Sequence, residues 1–168
     1  MIMRLIFGII LLVISLSAIL SPLNNLIYAE EIEQLELPKI SVNPGSFYYP
    51  FKRLAEKAGE RLNFSEEQKI SYYSSLLKKR LSELDFVTSN KVLSQIQGSS
   101  ERFSFQAGVL TEIVEKKKID EKKKLIKIFE KYSKLLANLR DKYPANSSFW
   151  MLVQHDINSL SILSERLK

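Results

Sequence analysis

A single histidine, His155, stands directly before Asp156 in the stretch VQHDIN. A His-Asp neighbour pair is where metal binding or acid–base chemistry would first be sought. Hydrolases of the metal-dependent kind need several His and Asp ligands converging on one ion, and one histidine cannot supply them. The serine-rich stretches SYYSS and QGSS lack the Gly-x-Ser-x-Gly elbow that exposes a nucleophile, and no phosphate-cradling or dinucleotide-binding glycine pattern occurs. With no cysteine in the chain, a catalytic thiol, a thiolate metal site, a disulfide and a lipid-modified N-terminal cysteine are all excluded. The carboxylate pairs Glu66-Glu67 and Asp120-Glu121 fall where helices are expected to begin, and the positive end of a helix dipole accounts for them. The sequence therefore predicts no catalytic residue, no metal site and no cofactor, and an enzyme is the third-ranked reading.

Two other clusters have the residue types for binding. The first lies in VNPGSFYYPFKRLAEKAGERLNF, residues 42–64, where Phe47, Tyr48 and Tyr49 are flanked by Pro44 and Pro50. Such aromatics could form a binding surface for glycan or peptide, or a clasp that packs the incoming chain onto a helical core. The clasp is preferred, because apolar packing is the commoner role of such rings. The second is a basic stripe, Lys123, Lys127, Lys131 and Lys134, spaced by four, four and three residues on one side of a predicted helix. Its centre lies about 140° from the apolar side carrying Leu125, Ile128, Tyr132 and Leu136.

Charge is concentrated around that stripe. The chain carries a net +6 overall, and residues 114–143 alone hold eleven Lys and Arg against five Asp and Glu. The rest of the chain beyond residue 29 is close to neutral, so basicity is local. A solvated helix face explains the stripe without a partner; contact with a polyanion explains it with one.

Apolar spacing shows which elements carry these residues. Phe51, Leu54, Ala55, Ala58 and Leu62 recur at helical intervals with Pro50 in the first turn. Ser65 with Gln68 three residues on makes a capping box for a second helix, whose face carries Ile70, Tyr73, Leu77, Leu81 and Leu84. A third helix is expected from Thr88 or Ser89 through Val92, Ile96, Phe103, Ala107, Leu110 and Val114, kinked or divided at Gly98. A fourth is expected from about Asp120 to Lys142, stopped by Tyr143-Pro144. The fifth begins near Ser147 or Ser148 and carries Trp150, Val153, Ile157, Leu160 and Leu167. The fold class is all-α: a bundle of four to five amphipathic helices, none able to bury its stripe alone, after an N-terminal segment and an extended arm.

Residues 1–29 have one arginine, an uncharged, mostly apolar run from Leu5 to Leu20, then Ser21-Pro22 and a short polar region ending at Ala29. As a helix the run reaches about 24 Å, short of the roughly 30 Å hydrocarbon core. A signal peptide cleaved after Ala29 is the first expectation and an uncleaved membrane anchor the second. Either places residues 30–168 outside the cytoplasm. Residues 30–46 are expected to form an extended arm turning at Pro44-Gly45, and residues 47–168 the helical domain.

With PGSFYYPFKRLAEK and LNFSEEQKISYYSSLLKKRLSEL in view, the chain resembles a bacterial family of exported helical proteins of unknown function. The family hallmark is Pro-Gly-Ser, two variable residues, Tyr-Pro, one residue and Lys-Arg, followed downstream by Arg-Leu-x-Glu. The matching positions are Pro44, Gly45, Ser46, Tyr49, Pro50, Lys52 and Arg53, with Phe47 inside the motif, and later Arg80, Leu81 and Glu83. The resemblance implies export and a mostly helical fold, with no enzymatic activity to carry over. The first functional expectation is a non-catalytic structural or interaction module of the bacterial cell envelope, working against an unknown protein. Its rival is a polyanion-binding protein that uses the Lys-rich helix around 116–142 on an anionic envelope polymer, lipid headgroups or extracellular nucleic acid. Membrane proximity would come through the N-terminal segment. Sequence-specific nucleic-acid binding is not expected.

Overall fold

A computed structural model describes residues 37–62 and 65–168. The signal or anchor at 1–29 and the first part of the arm therefore lie outside the described residues. Five helices follow the arm: α1 (Tyr49–Glu60), α2 (Glu66–Ser89), α3 (Leu93–Glu115), α4 (Ile119–Arg140) and α5 (Ser148–Arg166). Among the described residues there is no strand, and no helix is long and apolar enough to cross a membrane. α2 packs on α3, α4 on α5, and α3 on α5, with lighter contacts from α4 to α2 and α3. The fold is an all-α bundle.

Local chemistry sets the helix ends. Asn43-Pro44-Gly45-Ser46 turns with Ser46 N–H donating to Asn43 O at 3.1 Å, and Gly45 takes the positive φ of 91° that the second corner needs. Ser65 and Gln68 form the expected capping box, each side chain bonded to the other's backbone N–H at 3.1 Å. Ser147 caps α5, its hydroxyl accepting from Trp150 N–H.

The second and third helices divide at a different place from the one expected. α2 continues through Thr88 and Ser89, and α3 begins at Leu93. A Schellman closure makes the break: Val92 N–H donates to Val87 O at 2.8 Å and Lys91 N–H to Thr88 O at 3.3 Å, with Lys91 at φ 54°. Lysine holds the left-handed position that glycine usually marks, so the stop was invisible in the sequence. α3 also runs unbroken past Gly98.

The core is built from Leu76, Leu77, Leu81, Leu84 and Val87 of α2 and from Ile96, Phe103, Ala107, Leu110 and Val114 of α3. α4 adds Leu125, Phe129, Tyr132, Leu136 and Leu139; α5 and its end add Val153, Leu160 and Leu167. Phe129, fully buried, was absent from the expected stripe of α4, while Ile128 is only half-buried. Ile70 and Tyr73 are also half-buried, because the first turns of α2 extend past the bundle core.

α1 departs most from expectation. None of its residues is buried, and its apolar stripe faces solvent: Phe51 is 63%, Leu54 68% and, just past its end, Leu62 71% exposed. Its polar side faces the bundle instead.

Candidate functional site

The inward side of α1 carries Tyr49, Lys52, Arg53 and Glu56. On a helix of 3.6 residues per turn these four share a face about 180° from the Phe51–Leu54–Ala58 stripe. They meet Arg80 and Glu83, which lie one turn apart on α2 and are both essentially excluded from solvent. Glu83 is the hub. One of its oxygens accepts from the Tyr49 hydroxyl at 2.7 Å, and the other from Lys52 Nζ at 2.7 Å and from Arg80. Arg80 extends its second guanidinium nitrogen to Glu56, which also accepts from Arg53 at 2.9 Å. Lys52 in addition donates to Val42 O at 3.2 Å, tying the arm to the same cluster.

Arg102 of α3 completes the arrangement. Its guanidinium lies 5.2 Å from the centre of the Tyr49 ring, with its Nε 3.9 Å from Glu83. Gly98 makes room for it: a Cβ there would stand 3.0 Å from an Arg102 guanidinium nitrogen. The glycine that suggested a break in α3 instead admits a side chain to the cluster.

Gly59 has a similar part at the other end of α1. A Cβ there would meet the Tyr72 hydroxyl at 2.7 Å, and that hydroxyl donates to Glu56 O.

Electrostatics fix the protonation of these groups. Burial alone would push the Glu83 carboxyl up, but the bonds from Lys52, Arg80 and Tyr49 outweigh it and hold the group below the usual carboxylate range. Burial and the bond to ionised Glu83 push the Tyr49 hydroxyl up to about 12. Arg80 is raised, since Glu83 and Glu56 overcome the cost of its burial. Proton transfer at neutral pH needs a group poised near neutrality, and Glu83, Tyr49 and Arg80 are all driven away from it. What the cluster does is fasten: six charged side chains, four cationic and two anionic, fix α1 on α2 and α3 by its polar face.

The family-type motif thus divides by role. Tyr49, Lys52 and Arg53 come together with Arg80 and Glu83, while Leu81 enters the core. Pro44 is buried, and Gly45 approaches the Gln95 side chain of α3. Ser46 places its carbonyl and hydroxyl to receive the N–H groups of Tyr49 and Tyr48, and Pro50 occupies the first turn of α1. Phe47 and Tyr48 point away, 81% and 66% exposed. Of the three rings expected to pack the incoming chain onto the core, Tyr49 alone meets the bundle, through its hydroxyl and beneath Arg102, and Phe47 and Tyr48 do not pack on it. Glu56 and Arg102 were missed in the sequence. Glu56 could have been found from its position four residues after Lys52 and three after Arg53; Arg102 had no local signal.

The basic stripe lies where its spacing puts it, on the back of α4. Lys123, Lys127 and Lys134 are exposed and Lys131 is half-buried, and among the described residues none of the four forms an ion pair. It does not join the α1 cluster.

His155 and Asp156 separate onto different faces of α5. His155 is exposed, whereas Asp156 is fully buried, accepting from Ser104 at 2.6 Å. Burial pushes this carboxyl up to about 7, despite the hydroxyls of Ser104 and Ser100. Among the described residues no three His, Asp or Glu side chains gather closely enough to hold a metal ion.

Comparison with curated proteins and with solved structures finds no match. A family model does match, over residues 41–141, a span that takes in the Pro44-Gly45 turn, the ion cluster and α1 through α4. Because that span is more than half of the chain, the protein belongs to the family described as Domain of unknown function (DUF5667).

Proposed function

We propose that this protein is an exported, non-catalytic interaction module of the bacterial cell envelope, and that α1 is its contact element. The supporting observation is the orientation of α1. Folding normally turns an apolar stripe inward; here buried ion pairs hold the helix the other way round, with Phe51, Leu54 and Leu62 in solvent beside Phe47 and Tyr48. Contiguous apolar surface of this kind marks a site of interaction. The apolar run Leu5–Leu20 supports export. A photo-crosslinking residue at Leu54 in intact cells, followed by pull-down and fractionation, tests the reading. Adducts specific to Leu54 in the envelope fraction are expected; a cytoplasmic protein with no such adduct would overturn it.

A second reading has its own observation, Lys123, Lys127, Lys131 and Lys134 on α4, which form no ion pair among the described residues and suit an anionic polymer. Replacing Lys127 and Lys131 by Glu should weaken retention on an anionic matrix without changing helicity. Raising salt from about 0.05 to 0.5 M should do the same, as the screening length falls from roughly 14 to 4 Å. Absence of retention at low salt would leave these lysines as a solvated face.

A further inference from the structure

The exposed face of α1 has a charge pattern as well as an apolar one. Phe51, Leu54, Ala55, Ala58 and Leu62 occupy one strip, and Lys57 and Arg61, four residues apart, form a short basic row along one flank of it, next to the cluster-bound Arg53. Lys57 and Arg61 are exposed; of the acids on this helix, Glu56 is turned into the ion cluster and Glu60 is half-buried. At the start of the strip Phe47 packs edge-on against Tyr48 at 5.6 Å and lies 6.3 Å from Phe51, so the aromatics form one continuous surface. At roughly 150–250 Å² per aromatic side chain, the patch reaches the few hundred Å² beyond which an apolar surface is covered in use.

We propose that this face docks on an anionic phospholipid bilayer, lying in the plane of the interface with the apolar strip among the acyl chains and the basic row at the headgroups. An aromatic-rich apolar strip edged by Arg and Lys is the arrangement an interfacial helix needs. Charge decides against a second copy of the chain as occupant: pairing two such faces would bring two basic rows into one apolar contact, whereas lipid phosphates neutralise them. The helix also needs no lipid to form, because its polar face is already fixed to α2 and α3. The inference deepens the envelope reading by naming the partner of α1, and it rests on that reading for its place of action.

Because the chain has no cysteine, single cysteines can carry a fluorophore whose emission rises in apolar surroundings. Full-length protein labelled at Phe51→Cys, and separately at Ile162→Cys on α5, would be mixed with vesicles of phosphatidylglycerol and phosphatidylcholine or of phosphatidylcholine alone. Ile162 is itself 65% exposed and lies on α5, a helix that contributes no side chain to the ion cluster holding α1. A blue-shifted, brighter signal is expected at position 51 with the anionic vesicles only, and none at 162. Replacing Lys57 and Arg61 by Glu should weaken that response on the order of tenfold or more, at roughly a factor of five per cation near an anionic surface. The Lys127→Glu, Lys131→Glu pair on α4 should leave it unchanged.

Vesicle-bound protein with a silent probe at 51 would overturn the proposal, showing that the N-terminal apolar run alone makes contact. So would a response abolished by the α4 pair, or a response without vesicles accompanied by a doubled mass, which would identify a second copy. Each of these leaves the interaction-module reading standing, since that reading fails on cellular fractionation and crosslinking instead.

Discussion

Tyr49 is held by its hydroxyl rather than by burial of its ring, so the informative substitution is Tyr49→Phe. It keeps the ring beneath Arg102 and removes one of the donors to Glu83, a loss of about 1–3 kcal/mol. The pH dependence separates this from packing. A tyrosine raised from 10 to about 12 in the fold stabilises it below pH 10, and that contribution is lost as pH rises from about 10 to 12. Thermal melts across this window should show a steep alkaline loss in the wild type and a shallower one in Tyr49→Phe. Asp156 has the same sign at another pH. Its folded value near 7, against 3.8 unfolded, means the fold holds the proton more tightly, so stability is greatest in acid and falls as pH rises from about 4 to 7. Asp156→Asn keeps the acceptor for Ser104 and removes the buried charge. It should melt higher than the wild type at pH 8, by at most about 4 kcal/mol for roughly three pH units, with the advantage gone near pH 4.

At the scale of elements, α1 and the α2–α3 turn show two unlike ways of fixing a helix. α1 is fastened by polar groups and buries no side chain fully, while α2 to α5 share one apolar core. Glu83→Ala leaves Arg80 buried with only Glu56 opposite, a cost of roughly 3–5 kcal/mol for breaking a buried pair. Hydrogen exchange should show the amides of α1 losing protection while those of α3 and α5 keep theirs. Equal loss everywhere would mean that α1 is integral to the core. The α2–α3 turn depends on Lys91 at positive φ, which a residue with a Cβ adopts at a penalty. Lys91→Gly should raise the melting temperature by the equivalent of up to about 1 kcal/mol, the relief at positive φ outweighing the added freedom of the unfolded chain.

For the whole molecule, the helices themselves were legible in the sequence because their causes are local. The Ser65–Gln68 capping box, the Ser147 cap, the Pro44-Gly45 turn and the outward Lys stripe of α4 each involve residues within a turn or two of one another. Periodicity also showed that α1 has two unlike faces, but it could not say which would meet the bundle. That choice was made by Arg80 and Glu83, which present buried charge to the one partner able to satisfy it. Tyr49 and Lys52 reach Glu83 across 34 and 31 residues of chain, and such pairings exist only once α1 and α2 lie side by side. The same holds for Arg102 over Tyr49 and for Asp156 against Ser104. The all-α class, most helix ends and the lack of cysteine could be read from the chain alone, since they depend on composition, periodicity and short-range bonds. Which face of α1 is offered to a partner was settled in three dimensions, because it depends on where distant charges find each other.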